Sequence, residues 1–149
     1  MQITLAHVGK RSEAKDGLEP LVQDFLERSS PFARCRTEAF RTEDALLEWI
    51  EKQQGRTPVL AVILDSRGRQ MSSEGFADWL NTQRNQGTQH VLFALGSANG
   101  WTDAARKRAT LLLSFGPMTL AHGIARLVMA EQIYRAVTIL TGHPYHTGH

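Results

Sequence analysis

The alternation of apolar and polar residues divides the chain into short strands separated by helices. Gln2–Val8 alternates and is rich in β-formers, which predicts a strand. Leu18, Leu21, Val22, Phe25 and Leu26 recur at helical spacing, which predicts a helix ending near Arg28. Phe32–Thr37, after Pro31, fits a short second strand. Thr42 caps a helix with Glu43 and Asp44 in its first turn, Leu46, Leu47, Trp49 and Ile50 as its apolar residues, and Gly55 as its stop. Val59–Leu64 is an unbroken apolar run of the kind found in parallel strands buried on both faces. Ser72 or Ser73 caps a helix carrying Phe76, Trp79 and Leu80, and His90–Leu95 is another buried strand. Thr102 and Asp103 open a helix over the basic triplet Arg106-Lys107-Arg108. Leu111–Phe115 is the last strand and Gly123–Thr141 the last helix, ended by Gly142 and Pro144.

Strands that alternate with helices from end to end predict the α/β class, a mainly parallel sheet flanked by helices. No linker or repeat divides the chain, so residues 1–149 read as a single domain. In such sheets ligands bind beyond the carboxyl ends of the strands. Small, flexible residues follow three of those ends: Asp65-Ser66-Arg67-Gly68, Gly96-Ser97-Ala98-Asn99-Gly100, and Phe115-Gly116-Pro117-Met118-Thr119-Leu120. None is a P-loop or a GxGxxG turn. Ordinary turn chemistry accounts for any one of them, and spacing alone names no ligand.

Composition narrows the picture a little. With 149 residues, 42% hydrophobic and 21% charged, the chain can bury a core without staples. The single cysteine, Cys35, excludes an internal disulfide and fits a reducing, cytoplasmic compartment. No stretch approaches the ~20 apolar residues of a membrane span, and the N-terminus is too short and too alternating for a secretory signal. The net charge of +2 hides an asymmetry. From Leu80 onward six Lys/Arg stand against two acids, and five of the six histidines lie there. A basic half suggests an anionic partner, most commonly nucleic acid; chance clustering on a solvated surface is the alternative.

The tail GHPYHTGH raises its own question. His143 and His146 could grip zinc, but Pro144 separates them and no other ligands stand close in sequence, so no metal is expected. His149 reads as a frayed terminus. Glu131 and Arg135, four apart on the last helix, read as an ion pair, and Tyr134 as core. His122 reads equally well as a helix-start packing residue or a site residue.

Leu64-Asp65-Ser66-Arg67-Gly68, Phe93-Ala94-Leu95-Gly96, Phe115-Gly116-Pro117-Met118-Thr119-Leu120-Ala121-His122, Glu131-Gln132-Ile133-Tyr134-Arg135-Ala136 and His143-Pro144-Tyr145-His146 follow one another in a specific order. Over residues 60–146 this resembles the bacterial ribosomal RNA large-subunit methyltransferase H family, small members of the SPOUT class. The resemblance implies a SPOUT-type α/β knot, with the C-terminal chain threaded as a trefoil. It implies a homodimer that binds S-adenosylmethionine and methylates N3 of a pseudouridine in 23S rRNA on the assembled ribosome. By the same resemblance, Leu64, Gly96, Phe115, Gly116, Pro117, Met118, Thr119 and Leu120 are the expected cofactor-binding residues. His146, Tyr145, Arg126 and His122 are the expected catalytic group, His146 as proton acceptor and Tyr145 as a stacking platform. Arg84, Arg106, Lys107 and Arg108 would then meet RNA phosphates. The departures at Ser97, Gly116-Pro117, Ala121 and Thr147 motivate a second reading, a non-catalytic RNA- or ribosome-binding module. The alternating architecture alone would also suit a flavodoxin-like nucleotide binder.

Overall fold

A computed structural model describes residues 1–11 and 17–147 of the chain. In chain order the elements are β1 (Gln2–Val8), α1 (Glu19–Ser29), β2 (Arg34–Phe40), α2 (Glu43–Gln54), β3 (Val59–Gln70), α3 (Ser73–Asn85), β4 (His90–Leu95), α4 (Asp103–Arg108), β5 (Leu111–Ser114) and α5 (His122–Thr141), followed by a 3-10 turn over Pro144–His146. The strands form one parallel sheet in the order β2-β1-β4-β3-β5.

Alternate side chains of the central strands feed two separate cores. Ile3 and Leu5 of β1, Val62 of β3, and Val91, Phe93 and Leu95 of β4 point to the face covered by α1, α3 and α5. Ala6, Val8, Ala61, Ile63, Leu92 and Ala94 point to the face covered by α2 and α4. This explains the unbroken apolar runs: a strand buried on both sides has no polar face to show. Helix starts follow the expected caps. Thr42, Ser72 and Thr102 accept the amides of Ala45, Gly75 and Ala105. Gly142 closes α5 at φ 75°, a left-handed value that favours glycine.

Besides the ends of β2 (Phe40, not Thr37) and β5 (Ser114, not Phe115), three boundaries differ from the sequence reading. β2 starts at Arg34, because the amides of Phe32 and Ala33 bond to the Ser29 carbonyl and hold that stretch in a turn. α5 begins at His122, one residue earlier than expected. The third difference bears on the site. β3 does not stop at Leu64; Leu64 and Arg69 both pair with Leu113, so residues 65–68 bulge from a strand that then resumes along β5. Gly68 makes this possible. A Cβ there would lie 2.6 Å from the Leu112 carbonyl carbon and 2.7 Å from the Leu113 nitrogen.

α5 packs on the sheet between α1 and α3, and leaves Leu127, Val128, Ile139 and Leu140 half-buried. Met129, Ala130, Ile133, Tyr134, Ala136 and Val137 are all buried there. The large apolar side chains left exposed are Leu21, Phe115, Met118, Leu120 and Ile124. None of the helices in the described residues is long and apolar enough to cross a membrane.

Candidate active site

β4, β3 and β5 are neighbours, with Leu95 and Leu113 both paired to Leu64. Strand spacing therefore brings the residues after these ends within about 10 Å of one another. Gly96, Leu64 and Phe115, predicted from three distant parts of the sequence, share this edge. Trp101 seals part of it: its indole N–H donates to the Leu64 carbonyl at 2.9 Å, and a Cβ on Gly96 would stand 3.0 Å from its ring. Beyond β5, Ser114 Oγ accepts the Gly116 amide at 3.0 Å and turns the chain. The loop then offers Phe115 at 37%, Met118 at 84% and Leu120 at 37% exposure. Such an apolar group, facing water, suits a flat ring that would cover it. Pro117 and Thr119 are exposed in the same loop. Phe115 also lines a hollow of about 280 Å³ with Met71, Ser73, Met129 and Gln132.

The expected catalytic residues fall into two groups within one chain. His122 and Arg126 lie one turn apart at the start of α5. The His122 ring meets the His7 ring edge-on at 5.4 Å. Arg126 is 3% exposed and binds the Glu19 carboxylate with both terminal nitrogens, so its charge is met inside the protein. His7 Nε2 donates to the Lys10 carbonyl at 2.7 Å. Burial holds its pKa below the usual imidazole value, outweighing that hydrogen bond, and the charges of Arg126 and His122 lower it further. The neutral ring therefore keeps a lone pair on Nδ1. That atom and Arg126 Nε are buried without a partner among the described residues. Both residues line an open cavity of about 980 Å³ between β1, β2 and α1.

Tyr145 and His146 lie farther along α5. Nine residues separate His122 from Glu131, a rise of ~13 Å. The Glu131–Arg135 ion pair, 2.6 Å long, is also the anchor of the tail. Glu131 Oε1 accepts the Tyr145 hydroxyl at 3.0 Å, and Arg135 donates to His146 Nδ1 at 2.9 Å. His146 Nε2 lies 2.7 Å from Glu74 Oε1. Because Arg135 can only donate, the neutral imidazole here carries its proton on Nε2, facing Glu74. Burial and the Glu131 contact raise the Tyr145 pKa. The tail ring packs edge-on against Tyr134, with centroids 4.8 Å apart. His143 Nδ1 accepts the Tyr145 amide, and among the described residues no His/Cys/Asp/Glu group could hold a metal ion. His149 lies outside the described residues.

Most of the expected phosphate-binding residues have intramolecular partners. Arg106 pairs with Asp65 at 2.8 Å and Asp103 at 3.0 Å, and Arg108 with Glu51. Burial pushes the Asp65 pKa up, but the Arg67 amide and Arg106 outweigh it and hold the carboxyl below its usual value. Arg84 lies over the Phe32 ring at 4.4 Å. Lys107 is exposed. His7, Lys10, Glu19 and Arg41, which line the cavity, were given no role from the sequence. The signal for His7 and Lys10 was their position at the end of β1, but nothing in the chain marks Glu19 as the partner of an arginine 107 positions away.

A parallel sheet with small-residue loops at its carboxyl edge and a tail folded back on the last helix defines a class. The family model described as "Predicted SPOUT methyltransferase" matches residues 1–146. Two solved structures share the fold: a probable methylase family protein from Haemophilus influenzae and the SpoU methyltransferase AviRb from Streptomyces viridochromogenes. The first has TM-score 0.55 at 8% identity, covering 98% of this chain and 70% of that one. The second has TM-score 0.51 at 15% identity, covering 95% of this chain and 61% of that longer one. The chain is 41% identical over 149 residues to the ribosomal RNA large subunit methyltransferase H of Koribacter versatilis, covering all of both. It is 40% identical over 161 residues to the protein of the same name from Xanthobacter autotrophicus, covering 98% of this chain and 99% of that one. The chain belongs to the ribosomal RNA large subunit methyltransferase H family.

Proposed function

We propose that this protein transfers the methyl group of S-adenosylmethionine to N3 of a pseudouridine in large-subunit ribosomal RNA, acting in the cytoplasm as a homodimer on the assembled ribosome. The observation that carries this reading is the end-to-end similarity to proteins named for that RNA, 41% over the whole chain. The cofactor, when bound, supplies an electrophilic methyl carbon. Phe115, Met118 and Leu120 would cover its purine, while Leu64 and Gly96 form the neighbouring wall of the same edge. A trefoil knot is part of the proposal. It is supported by the double pairing of β3 with β5 and the close approach of Gly68 to Leu112.

The remaining chemistry is positioning and proton transfer. A displacement at the methyl carbon needs the nucleophile held about 3–3.5 Å away and in line. The ring nitrogen must also lose a proton, and His146 is the proposed acceptor, with Tyr145 stacking on the base. Arg135 occupies the His146 lone pair in the single chain, so the acceptor role requires that contact to yield when the tail meets RNA beside a partner's cofactor loop. Arg126, held by Glu19, positions the start of α5. The test is single-turnover methylation of ribosomes by a His146→Ala enzyme. A rate equal to wild type would remove His146 from the chemistry. Calorimetry with S-adenosylmethionine tests the cofactor separately, since a non-catalytic binding module would show no heat at high micromolar ligand.

A further inference from the structure

Among the described residues, the cavity between β1, β2 and α1 has more positive than negative lining. Of the described residues that line it, Lys10, Arg11, Arg41 and Arg126 stand against the carboxylates of Glu19 and Glu38, four cations to two anions. Arg126 is committed to Glu19, but among the described residues Lys10, Arg11 and Arg41 pair with no carboxylate. All three are exposed at the carboxyl edge of the sheet, just past the ends of β1 and β2. The wall behind them holds two buried polar atoms that have no partner among the described residues, Nδ1 of His7 and Nε of Arg126. Unsatisfied buried groups are rare in native proteins and call for an explanation. Here they ask for opposite things. Arg126 Nε–H and the surface cations need acceptors, whereas His7 Nδ1, with its proton on the other nitrogen, needs a donor.

We propose that this cavity is a docking groove for the RNA sugar–phosphate backbone, with phosphates on Lys10, Arg11 and Arg41 and a ribose 2′-hydroxyl donating to His7 Nδ1. The inference rests on the RNA-substrate reading above and adds the place where the backbone binds. A ribonucleotide chain alternates the two required chemistries, phosphate oxygens that accept and a hydroxyl that donates. Inorganic phosphate, which has no sugar, and DNA, which lacks the 2′-hydroxyl, each meet the first demand without supplying that donor. The groove also differs from the basic triplet on α4, where Asp65 and Glu51 already meet two of the three charges.

The test is fluorescence anisotropy with a short single-stranded RNA and the DNA of the same sequence, from 50 to 400 mM salt. The full chain is used as wild type, Lys10→Ala/Arg41→Ala, His7→Leu and the surface control Lys52→Ala. Each lost phosphate contact on a single strand should flatten the log–log salt slope by ~0.7, or about five-fold in affinity at 0.1 M salt. The double variant should therefore bind RNA about 25-fold more weakly with a slope flatter by ~1.4, while Lys52→Ala binds as wild type. His7→Leu should keep the slope and lose the preference of RNA over DNA. If His7→Leu does not fold, the exposed pair still decides the matter. An unchanged affinity and slope in the double variant would overturn the proposal, as would equal binding of RNA and DNA by wild type. Displacement of RNA by low-millimolar inorganic phosphate would reduce the groove to a simple anion site and overturn it too. Calorimetry with S-adenosylmethionine separates the two readings. A wild type that binds RNA through these residues but no cofactor defeats the methyl-transfer reading and leaves the groove standing. Methylation of ribosomes with an unaffected KM in the double variant does the reverse.

Discussion

Gly68→Ala tests the close approach of the 65–68 bulge to β5, beside the edge proposed to hold the cofactor. The added Cβ would meet the Leu112 carbonyl carbon at 2.6 Å, its oxygen at 2.7 Å and the Leu113 nitrogen at 2.7 Å. All three are backbone atoms of a paired strand, so no side chain can rotate away. Overpacking by one methyl costs ~1–3 kcal/mol, and a backbone obstacle puts this case near the upper end, about 2–3 kcal/mol. For a chain of this size that corresponds to a fall in Tm of roughly 4–12 °C. Gly55→Ala is the control: it has nothing within 4 Å and φ −80°, so alanine should be neutral or stabilise by ~0.4–1 kcal/mol through the unfolded state. Urea denaturation followed by circular dichroism gives both numbers. Hydrogen exchange at Leu112 and Leu113 would show that the loss is local to β5. A Gly68→Ala midpoint within about 0.5 kcal/mol of wild type, at unchanged m, would refute the close approach and with it the support for a threaded edge.

Other predictions follow from single contacts. Glu19→Gln leaves the buried Arg126 guanidinium without its counter-charge and should cost ~3 kcal/mol, with much of it recovered in Glu19→Leu/Arg126→Met; denaturant midpoints of the cycle measure the coupling. His7 and His90 are both held below the usual imidazole value, chiefly by burial, so the unfolded chain binds more protons than the native one. Their contribution is complete above the unfolded pKa of 6.5 and is lost as pH falls through the lower native values; thermal melts from pH 8 to 5 should show that decline, with a smaller slope in His90→Phe. Tyr145→Phe removes the hydroxyl that Glu131 accepts and should loosen the tail by ~1 kcal/mol, seen as about five-fold faster amide exchange at 145–147. Equal exchange in the two proteins would mean the tail is held elsewhere.

Much of the fold could be read from the sequence because it is encoded locally. Val59–Leu64 and His90–Leu95 are apolar on both faces because both faces are covered, and Thr42, Ser72 and Thr102 cap the helices they precede. Chain order also brought Leu64, Gly96 and Phe115 to one edge, since the strands before them pair directly. The unread parts depend on tertiary contacts. Residues 65–68 carry turn composition, yet Gly68 lets the strand resume along β5. Met129, Ala130, Ile133 and Ala136 of α5 are buried because α1, α3 and the sheet close over that face, which only the tertiary packing decides. Arg126 and Arg106 are cations whose partners, Glu19 and Asp65, lie far away in the chain. Glu131 and Arg135 were legible as an ion pair but not as the anchor of Tyr145 and His146, because that role needs the tail to fold back.

The most direct measurement is to incubate purified protein and S-adenosylmethionine with ribosomes lacking the modification, and to map any new methyl group on the large-subunit RNA. The account predicts one methyl per particle, on N3 of a single pseudouridine, with free 23S rRNA a poorer acceptor than the assembled ribosome. No incorporation despite tight cofactor binding, or a methyl group on a different kind of nucleotide, would contradict it.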